Sequence, residues 1–147
     1  MFKHILMSTD GSKLSVKAEK AAIGLAAALG AKVTALHVLP ATVYDFVGDV
    51  VATRVLTPRE AREREQKTAK TAFINVLQEA GAANLDCSGI CVTGDDIYRS
   101  IIAAAKKNRC DLIVMASHGR RGLSGLLLGS ETHKVLTHST IPVLVCR

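Results

Sequence analysis

The segment Val114-Met115-Ala116-Ser117-His118-Gly119-Arg120-Arg121-Gly122, continued through Leu123 to Leu128 into Gly129-Ser130, concentrates residue types that hold a phosphate. An apolar run, Leu112 to Met115, leads into it, and a helix-like pattern follows. Where a strand empties into a Gly-rich loop that opens a helix, bare backbone N–H groups and the positive end of the helix dipole converge on an anion. Gly119, Gly122, Gly125 and Gly129 carry no Cβ, so main chain can approach a ligand closely. Arg120 and Arg121 could add charge, and free N–H groups with the Ser130 hydroxyl could hold phosphate oxygens at the helix start. The competing reading is a surface turn that caps a strand. A loop dense in both Gly and Arg, placed directly after a buried strand, favours the ligand loop. Neither G-x-x-x-x-G-K-[S/T] nor, after the first strand, G-x-G-x-x-G occurs, which excludes a P-loop lysine and disfavours a dinucleotide site.

Asp10, just after the first strand, is open to two readings. Its carboxylate could accept hydrogen bonds from a ribose hydroxyl, or hold Mg2+ or Mn2+ through water. It could equally serve as a helix N-cap or turn residue ahead of Gly11-Ser12. His118 would need a partner nucleophile or a positioned water to act as a base. The simpler reading is a ring that makes a structural hydrogen bond. A Ser117–His118–Asp10 triad fails, because adjacent residues do not present nucleophile and base to one another and there is no G-x-S-x-G elbow. No residue is therefore assigned a catalytic role. His4, His37, His133 and His138 lack the spacing and carboxylate companions of a metal cluster. Cys87, Cys91, Cys110 and Cys146 form no C-x-x-C and read as small buried hydrophobes.

The elements that must position these residues follow from periodicity. Lys3 to Ser8 reads as a buried strand, broken by Thr9-Asp10-Gly11-Ser12. Leu14, Ala18, Ala21, Leu25 and Leu29 give a helical stripe that Gly30 ends as a C′ glycine. Val33 to Leu39 is a second strand closed by Pro40. Residues 41–57 form a long, less regular connection, of a length that is often functional or holds a short helix. Thr57-Pro58 with Glu60 opens a long helix with a capping box. Its stripe is Ala69, Ala72, Phe73, Val76, Leu77 and Ala80, and Gly81 ends it. Cys87 to Val92 is a third strand, and Gly94-Asp95-Asp96 starts a helix with two acids in its first turn. Asp111 to Ala116, a helix over Ser130 to Thr137 and a strand over Ile141 to Cys146 complete the chain. Strands alternating with helices predict an open, mostly parallel sheet with helices on both faces. Ligands then sit beyond the carboxyl ends of the strands, where strand order reverses. The first and fourth strands carry the chemical loops, so they are expected to flank that point.

At 147 residues the chain suits one domain, with 48% hydrophobic residues for a core. Only 3% of residues are aromatic and none is Trp, which argues against stacking on single-stranded nucleic acid. A net charge of +6 favours anionic ligands. Near residues 59–70 the basic residues alternate with Glu60, Glu63 and Glu65, and the spacing predicts Glu60–Arg64 and Glu63–Lys67 pairs. No leader-like segment or apolar stretch of membrane-spanning length stands out, so a cytoplasmic protein with reduced thiols and no membrane partner is expected.

Ser8-Thr9-Asp10-Gly11-Ser12, Leu36-His37-Val38 and Pro142-Val143-Leu144-Val145 together resemble the universal stress protein family. The ATP-binding branch of that family carries glycine, two residues, glycine, nine residues, glycine, then Ser or Thr. Ala116, Gly119, Gly129 and Ser130 match that spacing, with Ala in place of the first glycine. Ser8 stands where ATP-binding members often have Pro, which alters local stiffness more than contact chemistry. The resemblance covers nearly the whole chain and implies a single domain over 1–147. It also implies a Rossmann-like α/β fold, five parallel strands ordered 3-2-1-4-5, and a homodimer that pairs Ile141 to Cys146. By similarity Asp10 contacts the ribose, the Val38 backbone meets the adenine, and Met115 and Ala116 line the nucleotide. Gly119, Arg120, Gly129 and Ser130 surround the phosphates, with Thr132 close by. The candidate contact set is completed by Ser8, Thr9, Ser117, His118, Gly122 and Glu131.

Three functions compete on these grounds. The first is an ATP-binding regulator or sensor in the stress response, with ATP shifting dimer state, loop order or affinity for an unidentified regulatory protein. Segment 41–57 is its candidate responsive element. The second is a slow ATPase or a phosphoryl- or nucleotidyl-transfer enzyme using Asp10 with Mg2+ and Arg120. The third is a nucleotide-free dimeric interaction module.

Overall fold

The computed structural model describes residues 1–40, 42–47, 50–55, 57–119 and 128–147. Strands β1 (His4–Ser8), β2 (Lys32–Leu39), β5 (Cys87–Thr93), β6 (Leu112–Ala116) and β7 (Val143–Cys146) form one sheet. Its order is β5-β2-β1-β6-β7 with every pairing parallel, the expected 3-2-1-4-5 when these strands are counted alone. Helices α1 (Lys13–Leu29), α2 (Pro58–Ala82), α3 (Ile97–Lys107) and α4 (Ser130–His138) cover it.

Strand alternation sorts the core into two layers. Ile5, Met7, Val33, Ala35, Leu112 and Val114 face α1 and α2, where Ala18, Ala22, Ile23, Phe73 and Val76 meet them. Leu6, Leu36, Ile113 and Met115 face the other way, onto Ile101, Ile102 and Ala105 of α3 and Val135 of α4. Phe73 lies flat on β5: a Cβ at Gly89 would stand 2.9 Å from its ring. That close approach requires glycine there.

Several expectations shift. Segment 41–57 contains no short helix among its described residues. Thr42–Val47 (β3) and Val50–Val55 (β4) pair antiparallel as a separate two-stranded ribbon. The α1 face turns by one position: Ala21 is exposed, and Ser15, Ala18, Glu19, Ala22, Ile23 and Ala26 are buried. On α2, Phe73, Val76 and Ala80 are buried but Leu77 is exposed, and the helix runs one residue beyond Gly81. Helix α3 begins at Ile97, so Asp95 and Asp96 precede its first turn instead of occupying it. Gly30 adopts the expected left-handed C-cap, with φ 62°.

Thr57 and Glu60 form the predicted capping box. Glu60 thereby folds back onto Thr57 instead of reaching Arg64. Glu63 pairs with Arg59 at 2.9 Å, not with Lys67. Both Arg59 and Glu63 are largely exposed, so that pair stabilises little.

Candidate functional site

In this sheet order the chain proceeds outward from β1 in both directions, and a crevice opens at the carboxyl ends of β1 and β6. A cavity of about 460 Å³ occupies this end of the molecule, within the range of small-molecule sites. Three strand exits line it: Ser8, Thr9 and Asp10 from β1; His37, Val38, Leu39 and Pro40 from β2; Met115, Ala116, His118 and Gly119 from β6. The start of α4 adds Gly129, Ser130, Glu131 and Thr132. Twelve of the expected contact residues are thus gathered at one place. Arg120 and Gly122 lie outside the described residues. Ser117 is fully buried and is not part of the wall.

The β1 exit is held by a chain of hydrogen bonds. Thr9 N–H donates to Leu36 O at 2.9 Å, tying the end of β1 to β2. The Thr9 carbonyl lies 2.8 Å from His37 Nδ1. A carbonyl only accepts, so Nδ1 carries the proton and the imidazole tautomer is set. Gly11 adopts φ 72°. Asp10 Oδ1 accepts the Ser12 N–H at 2.9 Å, the turn role allowed for it from sequence. Ser12, not Asp10, caps α1, through Ser15 N–H at 3.1 Å. The other carboxylate oxygen of Asp10 faces the glycine loop: a Cβ at Gly119 would stand 2.8 Å from Oδ2.

The β6 exit is clasped to α4. Ser117 N–H donates to Cys146 O and Gly129 N–H to Ser117 O, each at 2.7 Å. Thr132 Oγ1 donates to Ala116 O at 3.0 Å. A Cβ at Gly129 would lie 3.2 Å from Ser117 O, so the two arms of the loop close only around glycine. The first N–H groups of α4, at Ser130, Glu131 and Thr132, have no intrahelical acceptor. His118 Nδ1 sits 3.2 Å from Ser117 Oγ, and its buried Nε2 has no partner among the described residues. No base–nucleophile arrangement follows from that contact. Glu131 has a second task. Its Oε2 accepts Tyr98 N–H at 3.0 Å and its Oε1 meets Lys134 Nζ at 2.9 Å, so it caps α3 from α4. That is why Asp96 makes no side-chain cap there.

Sequence reasoning missed Ser15, His37, Leu39, Pro40, Arg64, Ile97 and Ile101 on the wall. Leu39, Pro40 and His37 could have been found from their place at a strand's carboxyl end; Arg64 carries no such signal. It also missed Glu19, buried at 5% exposure behind the β1 exit. Glu19 accepts a short hydrogen bond from the Thr9 hydroxyl, which in turn accepts Gly11 N–H at 3.1 Å. Burial, against the opposing Thr9 and Ser15 hydrogen bonds, pushes the Glu19 carboxyl above its ordinary range, and the Glu79 and Asp10 charges add to the rise. A raised folded pKa means that the folded state holds this proton more firmly. Stability is therefore lost as pH rises from about 4.5 through the folded pKa. Glu19→Gln keeps an oxygen for Thr9 and removes the charge. It should raise Tm at pH 7–8, with the gain shrinking toward pH 4, as thermal melts across that range would record. A gain that does not vary with pH would mean that the charge is not what costs stability.

Among the described residues no group of three His, Cys, Asp or Glu side chains could hold a metal ion. All four cysteines are free thiols; burial and the neighbouring Asp111 charge push Cys110 up to about 11, leaving it inert. No helix among the described residues is long and apolar enough to cross a membrane.

A sequence profile described as the Universal stress protein family matches residues 1–147. Universal stress protein YxiE of Bacillus subtilis is 33% identical over 150 residues, covering 100% of both chains. The solved structure of universal stress protein UspA from Lactobacillus plantarum superposes with a TM-score of 0.81 at 25% identity, covering 99% of this chain and 97% of that one. A universal stress protein solved in complex with cAMP superposes at 0.68 with 24% identity, covering 99% and 97%, a likeness that speaks to the fold. The sheet order and the full-length sequence match agree: this chain belongs to the universal stress protein family.

Proposed function

We propose that the cavity takes an adenine nucleotide, ATP, and that the protein is a nucleotide-dependent regulator or sensor in the stress response. The observation that carries this reading is the approach of the Asp10 carboxylate to Gly119 across the β1/β6 crevice. Leu39, Pro40, Ile97, Ile101 and Met115 give one side of the cavity an apolar surface suited to a flat base. Val38 belongs to the same edge, where its backbone would meet the adenine. Asp10 is placed for ribose hydroxyls. Ser130, Glu131 and Thr132 present the open backbone N–H groups of the first turn of α4, and Ser130 its hydroxyl, for phosphate oxygens, beside Ser8, Thr9, Ala116, His118 and Gly129. Ser117 acts behind this wall by holding Gly129, and Arg120 and Gly122 complete the contact set. A universal stress protein solved in complex with cAMP shares this fold. Mg2+ or Mn2+ would enter with the phosphates, meeting Asp10 through water, since no resident donor set is present among the described residues.

A bound nucleotide shifts whichever conformation it binds better. This protein acts in the cytoplasm as a homodimer whose interface extends the sheet at β7, handing its state to a protein partner. Strand β7 is a sheet edge, and Leu144 on it is 40% exposed. Leu144→Lys should convert the dimer to a monomer in sedimentation velocity. An unchanged sedimentation coefficient would remove β7 from the interface.

The deciding experiment is to denature freshly purified protein, identify released nucleotide by chromatography, and titrate the emptied protein with ATP by calorimetry. ATP or a breakdown product in the eluate, with saturable heat, is the expected result. Clean protein with no heat of binding would favour the nucleotide-free module.

A further inference from the structure

The geometry points to Arg64 as a further residue that biases this cavity toward a phosphorylated nucleotide over the bare nucleoside. The inference rests on the nucleotide reading above and deepens it. Among the described residues that line the cavity, the charged side chains are Asp10, Glu131 and Arg64. Two carboxylates alone would repel a polyanion, and the Glu131 charge is answered by Lys134. Arg64 is the cation among these charged side chains of the described wall. Its guanidinium offers a planar fork of donors that matches phosphate oxygens.

Its availability follows from how α2 begins. Every neighbouring arginine is engaged on the helix itself: Arg59 with Glu63, and Arg62 with the Pro58 carbonyl at 3.4 Å. The carboxylate four residues before Arg64 is Glu60, which the capping box turns back onto Thr57. Arg64 has no ion-pair partner among the described residues. Helix α2 packs on β2 and β5 through Phe73 and Val76. Its early turns therefore stand over the carboxyl end of β2, which brings Arg64 to the same cavity as Leu39 and Pro40. The capping box fixes the helix start and takes Glu60 away from Arg64.

Calorimetric titration of the emptied wild type, Arg64→Gln and Arg64→Lys with ATP and with adenosine tests the assignment. Loss of a charge-assisted hydrogen bond should weaken ATP by about tenfold or more in Arg64→Gln. Adenosine binding should be unchanged, Arg64→Lys should recover part of the loss, and the fall of ATP affinity with salt should be shallower in Arg64→Gln. Wild type that binds ATP while Arg64→Gln binds it equally well overturns the inference and leaves the nucleotide reading standing. So does a parallel loss for ATP and adenosine, which would make Arg64 a packing residue. Wild type that takes up neither ligand overturns the nucleotide reading and this inference with it.

Discussion

Gly119→Val should abolish nucleotide binding while leaving the protein folded. The new Cβ would lie 2.8 Å from Asp10 Oδ2 and 3.8 Å from its Cγ, nearer than side chains tolerate. Asp10 cannot simply swing aside, because its other oxygen is held by Ser12 N–H at 2.9 Å. The obstacle is space and not backbone strain: the glycines with positive φ among the described residues are Gly11 and Gly30. Overpacking and loss of a charged hydrogen bond together should weaken ATP on the order of 100-fold or more. Gly119 is exposed, so Tm should move by only a few degrees. Gly24→Ala is the matching control, since a Cβ there meets nothing within 4 Å and lies in mid-helix. It should bind normally and be slightly more stable. A Gly119→Val protein that binds ATP as wild type does would show that the ligand lies elsewhere.

The largest loss of stability is expected at Ile113. It is 0% exposed, on the strand between β1 and β7, with Leu6 opposite it on β1 and Val143 on β7. Its side chain belongs to the layer that joins the sheet to α3 and α4. Packing on both sides leaves little freedom to collapse onto a void. Ile113→Ala should therefore cost about 2–5 kcal/mol. At about 2–4 °C per kcal/mol for a chain of this size, Tm should fall by about 4–20 °C. Leu136, 39% exposed on α4, offers the contrast: Leu136→Ala should change stability by less than about 0.5 kcal/mol. Chemical denaturation of both variants checks the pair. A loss at Ile113 no larger than at Leu136 would mean that this layer is not the core it looks to be.

The two variants separate the layers of the molecule. Ile113 acts through burial within the sheet, and Gly119 acts three residues beyond Ala116, the last residue of the same strand. A strand one residue longer or shorter would move Gly119 away from Asp10, since β1 and β6 are in register from Ile5–Leu112 to Met7–Val114. The core therefore sets the geometry of the cradle without touching a ligand.

Sequence by itself determined the alternation of strands and helices, the buried runs at Ile5 to Met7 and Leu112 to Met115, and the glycine-rich exit after the latter. These are legible because periodicity and glycine chemistry are local properties. The capping box at Thr57 and the C′ glycine at Gly30 were readable for the same reason. Only the tertiary structure decided which polar groups meet across the chain. Glu131 caps a helix that begins 33 residues earlier in the chain, counted to Tyr98. Asp111 accepts N–H groups of Lys3 and His4 from more than 100 residues away. Glu19 was hidden because a shift of one position around α1 turns a solvated carboxylate into a buried one, and residue periodicity does not resolve that angle against alanines on either side. Arg64 was paired on paper with Glu60, yet the helix start claimed that carboxylate first. Spacing along a helix says which partners are within reach; the competition among them is settled by caps and packing that the linear pattern does not contain.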